Sequence, residues 1–453
     1  MAPPPALLPG HPVLALLLAG TGLVLALAAD LGLLTLLGGL IRVFSRAPQL
    51  QAKAEALQDP SLTVVIPAYN EAANIEACLS SVLNSRPPCP DWQVMVVDDR
   101  STDATASLAA AVLARAVATS GETPVSGGSP QGRFRLLDAG PRPAGERWVG
   151  KNWACSQAMK QVNSDWVLFI DADVRLAPDT VVRALGQAVE EKADLLSLAP
   201  RLACGCLAEW MVQPIMASLL GLGFPIEAAN DPSDPTAFAA GPFMLFRRSA
   251  YEAIGGHREL AGEVVEDLAL ARRIKGSGHR LRYVLGLDAV ELRMYRDFPS
   301  LWEGWSKNWF SGLDRSIPKA LGASGVVLLL FSGPWMLATA AAGGLFALTL
   351  GAAAPTEGIG VMDLLRQPLQ TVGGAASGER LAGLLMMTLA AAVSGIGLQL
   401  ALRLWTQRRF QVPLTLWWLM GAGGLVVAAL GPTSVWRTLS GRGWTWKGRS
   451  LAG

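Results

Sequence analysis

The 453-residue chain carries 38 basic and 36 acidic side chains, a net charge of +2, which gives it no general electrostatic pull toward nucleic acid. Charged residues make up 16% and the hydrophobic class 51%, with a mean hydropathy of +0.34, values on the membrane side of an ordinary soluble enzyme. The five cysteines (Cys78, Cys89, Cys155, Cys204, Cys206) are odd in number and lack CxxC spacing, so they read as reduced thiols and not as a zinc site or a disulfide framework.

In chain order, residues 13–41 form an apolar run broken by one charge, Asp30. About 20 apolar residues suffice for a spanning helix. A carboxylate is expensive at mid-membrane depth, so the span is predicted to end before Asp30. No Lys or Arg precedes Val13 and the run exceeds a signal-peptide core, which predicts an uncleaved anchor. Arg42, Arg46 and Lys53 follow it and place the next region on the cytosolic side.

From Leu62 to about Tyr295, short apolar strands alternate with helical stretches. Strands are predicted at 62–66, 93–97, 133–138, 166–170 and 195–199, with helices at 71–84, 103–118, 151–162 and 178–191. That alternation predicts an α/β domain with a mostly parallel sheet, and residues 120–132 read as a flexible surface loop. Ligands of such sheets sit beyond the carboxyl ends of the strands. Pro67-Ala68-Tyr69-Asn70-Glu71, Asp98-Asp99-Arg100-Ser101-Thr102-Asp103 and Asp171-Ala172-Asp173 all fall there. Each alone reads as a helix cap or a solvated turn; together they make one edge of the sheet acidic. Two carboxylates at i and i+2 leaving a strand can face one hard cation, Mg²⁺ or Mn²⁺, that keeps the rest of its shell for water and phosphate. Residues 207–224 read either as a helix lying in the membrane interface or as one packed on the sheet. His257 and His279 lack partners at metal spacing and read as structural.

Further apolar runs at about 321–351, 381–402 and 413–431 are candidate spans, two to four C-terminal crossings in all. Lys307, Arg315 and Lys319 precede the first of them, and Arg403, Arg408 and Arg409 mark a cytosolic loop. Three crossings would put the tail outside, yet it carries Arg437, Arg442, Lys447 and Arg449. One piece is therefore expected to be re-entrant or interfacial, either 321–351 or 361–369. The expected divisions are 1–45 (anchor), 60–315 (catalytic domain), 320–435 (membrane region) and 436–453 (basic tail).

PAYNE, VVDDRSTDAT, WVGKNWA, FIDADV and VVEDLALARRIK occur in an order and spacing that resembles family 2 glycosyltransferases of GT-A fold, over about Leu62 to Phe310. The resemblance implies that Pro67, Tyr69, Glu71 and Asp99 hold the nucleotide and that Lys151 faces the donor phosphates. It further implies that Asp171 and Asp173 bind the metal, and that Asp267, beside Glu266, is the base of an inverting transfer. Asp103 reads equally as a helix cap, and Glu266-Asp267 alone as the acidic first turn of a helix over 265–275. Gly241–Met244 resembles the strand that lines the acceptor site. No QxxRW motif occurs at 301–310, which counts against chain polymerisation and against a ceramide acceptor. The stretch RMYRDFPSLWEGWSKNWF and the WKGR tail are instead similar to bacterial carotenoid and hopanoid-associated glycosyltransferases. By that analogy Trp305, Lys307, Asn308 and Trp309 close over the diphosphate or the acceptor mouth; the alternative is an interfacial aromatic belt. The implied reaction moves a sugar from a nucleotide-diphosphate sugar, UDP-glucose by default, to a hydroxyl of a membrane carotenoid, with no nucleic-acid partner. The alternatives are a hopanoid, a glycerolipid or polyprenyl phosphate as acceptor, or a non-catalytic scaffold. The implied location is a bacterial inner, or other energy-transducing, membrane with the catalytic domain cytosolic.

Overall fold

The computed structural model describes residues 12–120, 133–353, 374–442, 445–446 and 449–450. The expected surface loop from residue 121 onward, the candidate at 361–369 and Lys447-Gly448 of the tail lie outside the described residues. Two compact units emerge. One comprises the described residues of Met1–Gly39, Trp210–Ile215 and Leu321–Gly431, and the other those of Leu40–Glu209, Met216–Ala320 and Pro432–Gly453.

Helix α1 (Pro12–Ser45) leads into the second unit, whose first half alternates strands and helices: β1 (Leu62–Ala68), α2 (Ile75–Leu83), β2 (Trp92–Asp98), α3 (Thr105–Ser120), β3 (Phe134–Asp138), α4 (Gly150–Met159) and β4 (Trp166–Ile170). There follow β5 (Val174–Leu176), α5 (Thr180–Glu190), β6 (Leu195–Ala199), β7 (Arg201–Leu202), α6 (Leu207–Gly223), α7 (Ile226–Asn230) and β8 (Phe243–Arg247). Next come α8 (Arg248–Ala253), α9 (Gly256–Glu259), α10 (Glu266–Gly276), β9 (Leu281–Leu285), β10 (Val290–Leu292) and α11 (Phe298–Gly312). The seven-stranded sheet has the order β3-β2-β1-β4-β8-β6-β9. Its first four strands run parallel, β8 is antiparallel to both neighbours, and β9 is parallel to β6.

Strands β1 and β4 are near-continuous apolar runs because both faces of the sheet are covered. Side chains alternate between two cores. Val64, Ile66, Leu168 and Ile170 join the one built with Ile75, Leu79 and Leu185, whereas Val65, Val167 and Phe169 join Trp153, Tyr251 and Ile274 in the other. Antiparallel β8 sets Phe243 against Ile170, which brings Gly241 and Pro242 alongside Asp171. A small sheet, β5-β10-β7, carries Leu292 back beside Val174 and delivers Met294 and Tyr295 to the same end.

Helix α6 runs unbroken through Pro214 and is buried from Val212 to Met216, with Leu207 and Leu222 exposed near its ends. His257 is fully buried and bonded to the Tyr251 hydroxyl, a structural role as its sequence suggested.

The first unit holds most of α1 together with a helix that runs from α12 (Ile317–Val327) through a π turn (Leu328–Ser332) into α13 (Gly333–Ala353), then α14 (Gly374–Phe410) and the start of α15 (Met420–Leu439). Among the described residues four helices, Val13–Ser45, Ile317–Leu350, Ala376–Phe410 and Trp417–Leu439, are long and apolar enough to cross a membrane. The first helix continues past Asp30, the charge before which the span is predicted to end. The carboxylate lies over Gly395, where an added Cβ would come within 2.8 Å of it, so a neighbouring helix covers it in place of lipid. Helices α13 and α14 are antiparallel: Gly344 meets the Leu385 side chain while Gln399 meets Leu330 and Phe331.

The π turn breaks the regular helical ladder, and hydrocarbon offers no replacement partners. Gln399 supplies them. Its amide donates to the Leu330 and Phe331 carbonyls at 2.8 and 2.9 Å and accepts from the Trp335 indole at 2.8 Å. Gln399→Leu is expected to destabilise this unit by about 1–2 kcal/mol, read as a lower thermal midpoint in detergent, with the catalytic unit unaffected in a donor-binding assay.

Candidate active site

The carboxyl ends of β1, β2 and β4 are joined by short polar links before any ligand arrives. Asn70 and Arg100 adopt left-handed backbone (φ 51 and 59°), a conformation that turns the chain sharply as it leaves each strand. The Asn70 side chain accepts from Thr102 N at 2.9 Å, while Asn70 N donates to the Ser101 hydroxyl at 3.0 Å. Asp98 accepts from Ser101 N, and Asp103 accepts from Thr105 N at 2.9 Å and Ala72 N at 3.1 Å. Asp103 therefore serves the turn into α3, in keeping with its capping reading. Asp99 instead points to a partner the sequence did not reveal: Arg142, 2.6 Å away and close to the start of α4.

A cleft at this edge is lined by Pro67, Tyr69, Glu71, Asp99, Lys151, Asp171 and Asp173, and on its other side by Glu266, Asp267 and Lys307. Every residue expected to hold the nucleotide, the phosphates, the metal or the proton thus lines one cleft, apart from Trp305 and Trp309. On α11 the cleft face is Gly304, Lys307 and Asn308, one helical turn apart. Trp305 lies one position round the helix and packs on Tyr295, with ring centroids 6.2 Å apart. Trp309 donates its indole N–H to Ala320 O. Neither tryptophan is among the residues that line the cleft.

At its centre the Lys151 ammonium lies 2.7 Å from Asp171 Oδ1 and 2.7 Å from Glu266 Oε1. Burial alone would lower its pKa, but Asp171 and Glu266 outweigh that and hold it well above the usual lysine value. Burial pulls the Glu266 carboxyl upward, yet the ammonium prevails and holds it below its usual range. Asp171 goes the other way, raised by burial against the pull of Lys151. Burial, reinforced by the charge of Glu266, pushes Asp267 up to about 6. Burial also lowers the Lys307 ammonium.

Three positions fix this geometry, none of them signalled by strand-end position. Asn152, fully buried next to Lys151, donates its amide to the carbonyls of Leu260, Ala261 and Glu263, while Val149 N donates to Ala261 O at 2.7 Å. These bonds tie α4 to the loop that precedes Glu266. Gly241 N donates to Asp267 Oδ2 at 3.1 Å, and a Cβ on Gly241 would come within 2.8 Å of that oxygen. At Gly150 a Cβ would lie 2.9 Å from Asp99 Oδ2. Glycine's missing side chain is what lets the acid approach in each case.

Residues 60–308 match the family described as "Glycosyltransferase like family 2". The chain belongs to that family. It is 29% identical over 292 residues to the 4,4'-diaponeurosporenoate glycosyltransferase of Staphylococcus aureus strain MRSA252, spanning 64% of this chain and 71% of the relative. The homologue from strain bovine RF122 / ET3-1 is 30% identical over the same shares. Among solved structures, the mannosyltransferase PcManGT from Pyrobaculum calidifontis, in complex with GDP-Man and Mn²⁺, is similar at 20% identity and TM-score 0.45, over 83% of this chain and 99% of that one. Glucosyl-3-phosphoglycerate synthase from Mycobacterium tuberculosis is similar at 17% identity and TM-score 0.34, over 56% of this chain and 80% of that one. Both scores are too low to carry an assignment.

This family 2 glycosyltransferase is an integral membrane protein whose catalytic domain, a mixed-sheet α/β fold, faces the cytosol and transfers sugar from a nucleotide-diphosphate sugar. Among the described residues no group of three or more His, Cys, Asp or Glu side chains converges as a self-sufficient metal site. Asp171 and Asp173 are two cleft-lining carboxylates on the turn between β4 and β5. Such a pair fits a hard cation that takes its remaining ligands from phosphate and water, as Mg²⁺ commonly does. Lys151→Met would leave Asp171 and Glu266 without their shared cation. The expected result is a fall in kcat/KM of about 100-fold or more, read from initial transfer rates, with the protein still inserted in membranes.

Proposed function

We propose that the enzyme transfers a hexosyl residue, with inversion and without processive chain growth, from a nucleotide-diphosphate sugar to a hydroxyl of a membrane carotenoid, with UDP-glucose the first donor to test. The supporting observation is the convergence of Lys151, Asp171, Glu266 and Asp267 in one cleft, with Asp267 tuned toward neutral pH. Pro67, Tyr69, Glu71 and Asp99 would take the nucleotide, with Arg142 orienting Asp99. Asp171 and Asp173 would hold Mg²⁺ or Mn²⁺, which when bound supplies positive charge to the diphosphate. Lys151 and Lys307 add fixed cations on the same phosphates. The catalytic domain in this reading is residues 60–315.

Asp267 would accept the proton of the acceptor hydroxyl while that oxygen bonds to the anomeric carbon. The bond from that carbon to the diphosphate breaks, and the nucleoside diphosphate departs with the electron pair. A single displacement inverts the sugar carbon. Gly241 N–H holds the Asp267 carboxylate in place for this step.

A second reading follows from the name of the S. aureus relatives, which act on diaponeurosporenoate, a carboxylate. A carboxylate acceptor brings no proton to remove. Six carboxylates already line this cleft (Glu71, Asp99, Asp171, Asp173, Glu266, Asp267), which favours a neutral hydroxyl. Replacing Asp267 with Asn separates the two: transfer to a hydroxyl should fall by about 100-fold or more, the range for loss of a general base, whereas transfer to a carboxylate should survive.

The reaction is tested with membranes containing the chain, radiolabelled UDP-glucose and Mg²⁺ or Mn²⁺. Label should enter an organic-extractable product, and EDTA should abolish its appearance. No label from any of several nucleotide sugars and carotenoid extracts would overturn the acceptor assignment. A base that must be deprotonated loses activity as pH falls through its pKa. Accordingly kcat/KM should be flat above about pH 7 and decline tenfold per pH unit below about 6. A profile flat down to pH 5 would remove Asp267 from the role.

A further inference from the structure

The tail sets a charge problem. Arg437, Arg442, Lys447 and Arg449 lie in or after a helix that is long and apolar enough to cross a membrane. A crossing there would carry them away from the cytosolic side, against the usual distribution of basic residues. Contacts inside each unit resolve it.

In the membrane unit, antiparallel α13 and α14 return the chain to the cytosolic side near Arg403, Arg408 and Arg409. Arg403 donates to Pro413 O at 2.8 Å, so residue 413 is still at that end. The chain then reaches the bundle interior. Trp417 lies near Trp335, with ring centroids 6.1 Å apart and the rings tilted, and Gly421 O accepts from the Ser332 hydroxyl at 2.7 Å. Gly421 and Gly424 sit so close to Trp335 and Ser332 that a Cβ would come within 2.7 and 2.5 Å of them. Ser332 lies near the middle of the Ile317–Ala353 helix.

In the catalytic unit, to which Pro432–Gly453 belongs, Ser434 is fully buried against α11. Its hydroxyl donates to Ser306 O at 2.6 Å and accepts from Phe310 N at 3.1 Å. The Thr445 hydroxyl bonds to Glu303, on the same helix. The chain therefore leaves the cytosolic side after Phe410 and is back in the cytosolic unit by Ser434. Chain lengths agree with this path. Gln411 to Trp417 can span at most about 20 Å at ~3.3 Å per residue, and Met420 to Ser434 returns about 21 Å at ~1.5 Å per residue. Either leg is short of a hydrocarbon core about 30 Å thick.

We infer that residues 411–439 form a re-entrant segment that enters and leaves by the cytosolic face, and that its return leg, through Ser434, braces α11 so that Lys307 stays in the donor cleft. The bracing half rests on the donor reading given under Proposed function; the topological half does not. Neither the long 321–351 run nor 361–369 is needed to reconcile the basic tail. Ser434 acts through α11 and is a positioning residue.

The topology is tested on the full chain with a site-specific protease sequence and epitope tag appended after Gly453, and in a second version placed before Met1. Protease added to sealed inverted vesicles should remove the C-terminal tag, and added to spheroplasts should remove only the N-terminal one. Release of the C-terminal tag from spheroplasts, with protection in inverted vesicles, overturns the re-entrant assignment. For the brace, Ser434→Val should raise the donor KM by about three- to tenfold, the scale of one buried hydrogen bond, with kcat within about twofold. Ser434→Thr, which keeps the hydroxyl, should restore it. An unchanged donor KM in Ser434→Val, with the tag still cytosolic, overturns the brace. The tag experiment reads no transfer, so its failure is distinct from a failure of the proposed reaction.

Discussion

The Lys151 ammonium holds the cleft together. It bridges Asp171, at the end of a strand, and Glu266, at the start of a helix, from 2.7 Å on each side. Without a cation between them, two buried carboxylates would repel, and one would be forced to take up a proton. The bridge holds Glu266 below its usual range and pulls Asp171 down against its burial, while the neighbouring Asp267, which it does not contact, rises to about 6. A single positive charge thus divides the carboxylates into two that it contacts and one that it does not, the one proposed as the base.

The rest of the catalytic unit fixes the ends of that bridge. Asn152 spends its amide on the carbonyls before Glu266, so the lysine and the acid it meets are carried by one rigid assembly. Gly241 and Gly150 allow Asp267 and Asp99 to approach the backbone where a side chain would collide. Antiparallel β8 matters for the same reason, because its register against β4 is what places Gly241 beside the Asp171 turn. The sheet order is therefore a positioning device for charges, with packing as its means.

In the membrane unit the same accounting rule acts under harsher conditions, since lipid satisfies no backbone group. The π turn would leave carbonyls unmet, and Gln399 meets them. Ser332, at the end of that turn, donates to Gly421 and so seats the start of α15. One irregularity in a spanning helix and two polar side chains determine where the last apolar segment inserts.

Much of this was legible in the residues alone. Continuous apolar runs marked β1, β2 and β4 within a residue or two, because strands buried on both faces must be apolar throughout. Acidic residues at strand ends marked one side of the cleft, because parallel strands expose their carboxyl ends together. Asp267, Glu266 and Lys151 were readable only through motif resemblance, as their meeting depends on a register far apart in sequence. Arg142 gave no local signal, and Asn152 and Gly241 stood in resembling stretches without their roles being readable, since each acts through a partner distant in the chain. Trp305 and Lys307 stand on different faces of α11, and only the packing of that helix shows which face lines the cleft. Hydropathy fixed which segments could enter a bilayer, but it measures length and composition and cannot tell a helix that crosses from one that returns. That choice lies in the hydrogen bonds of Ser332 and Ser434, which pair residues no sequence window contains.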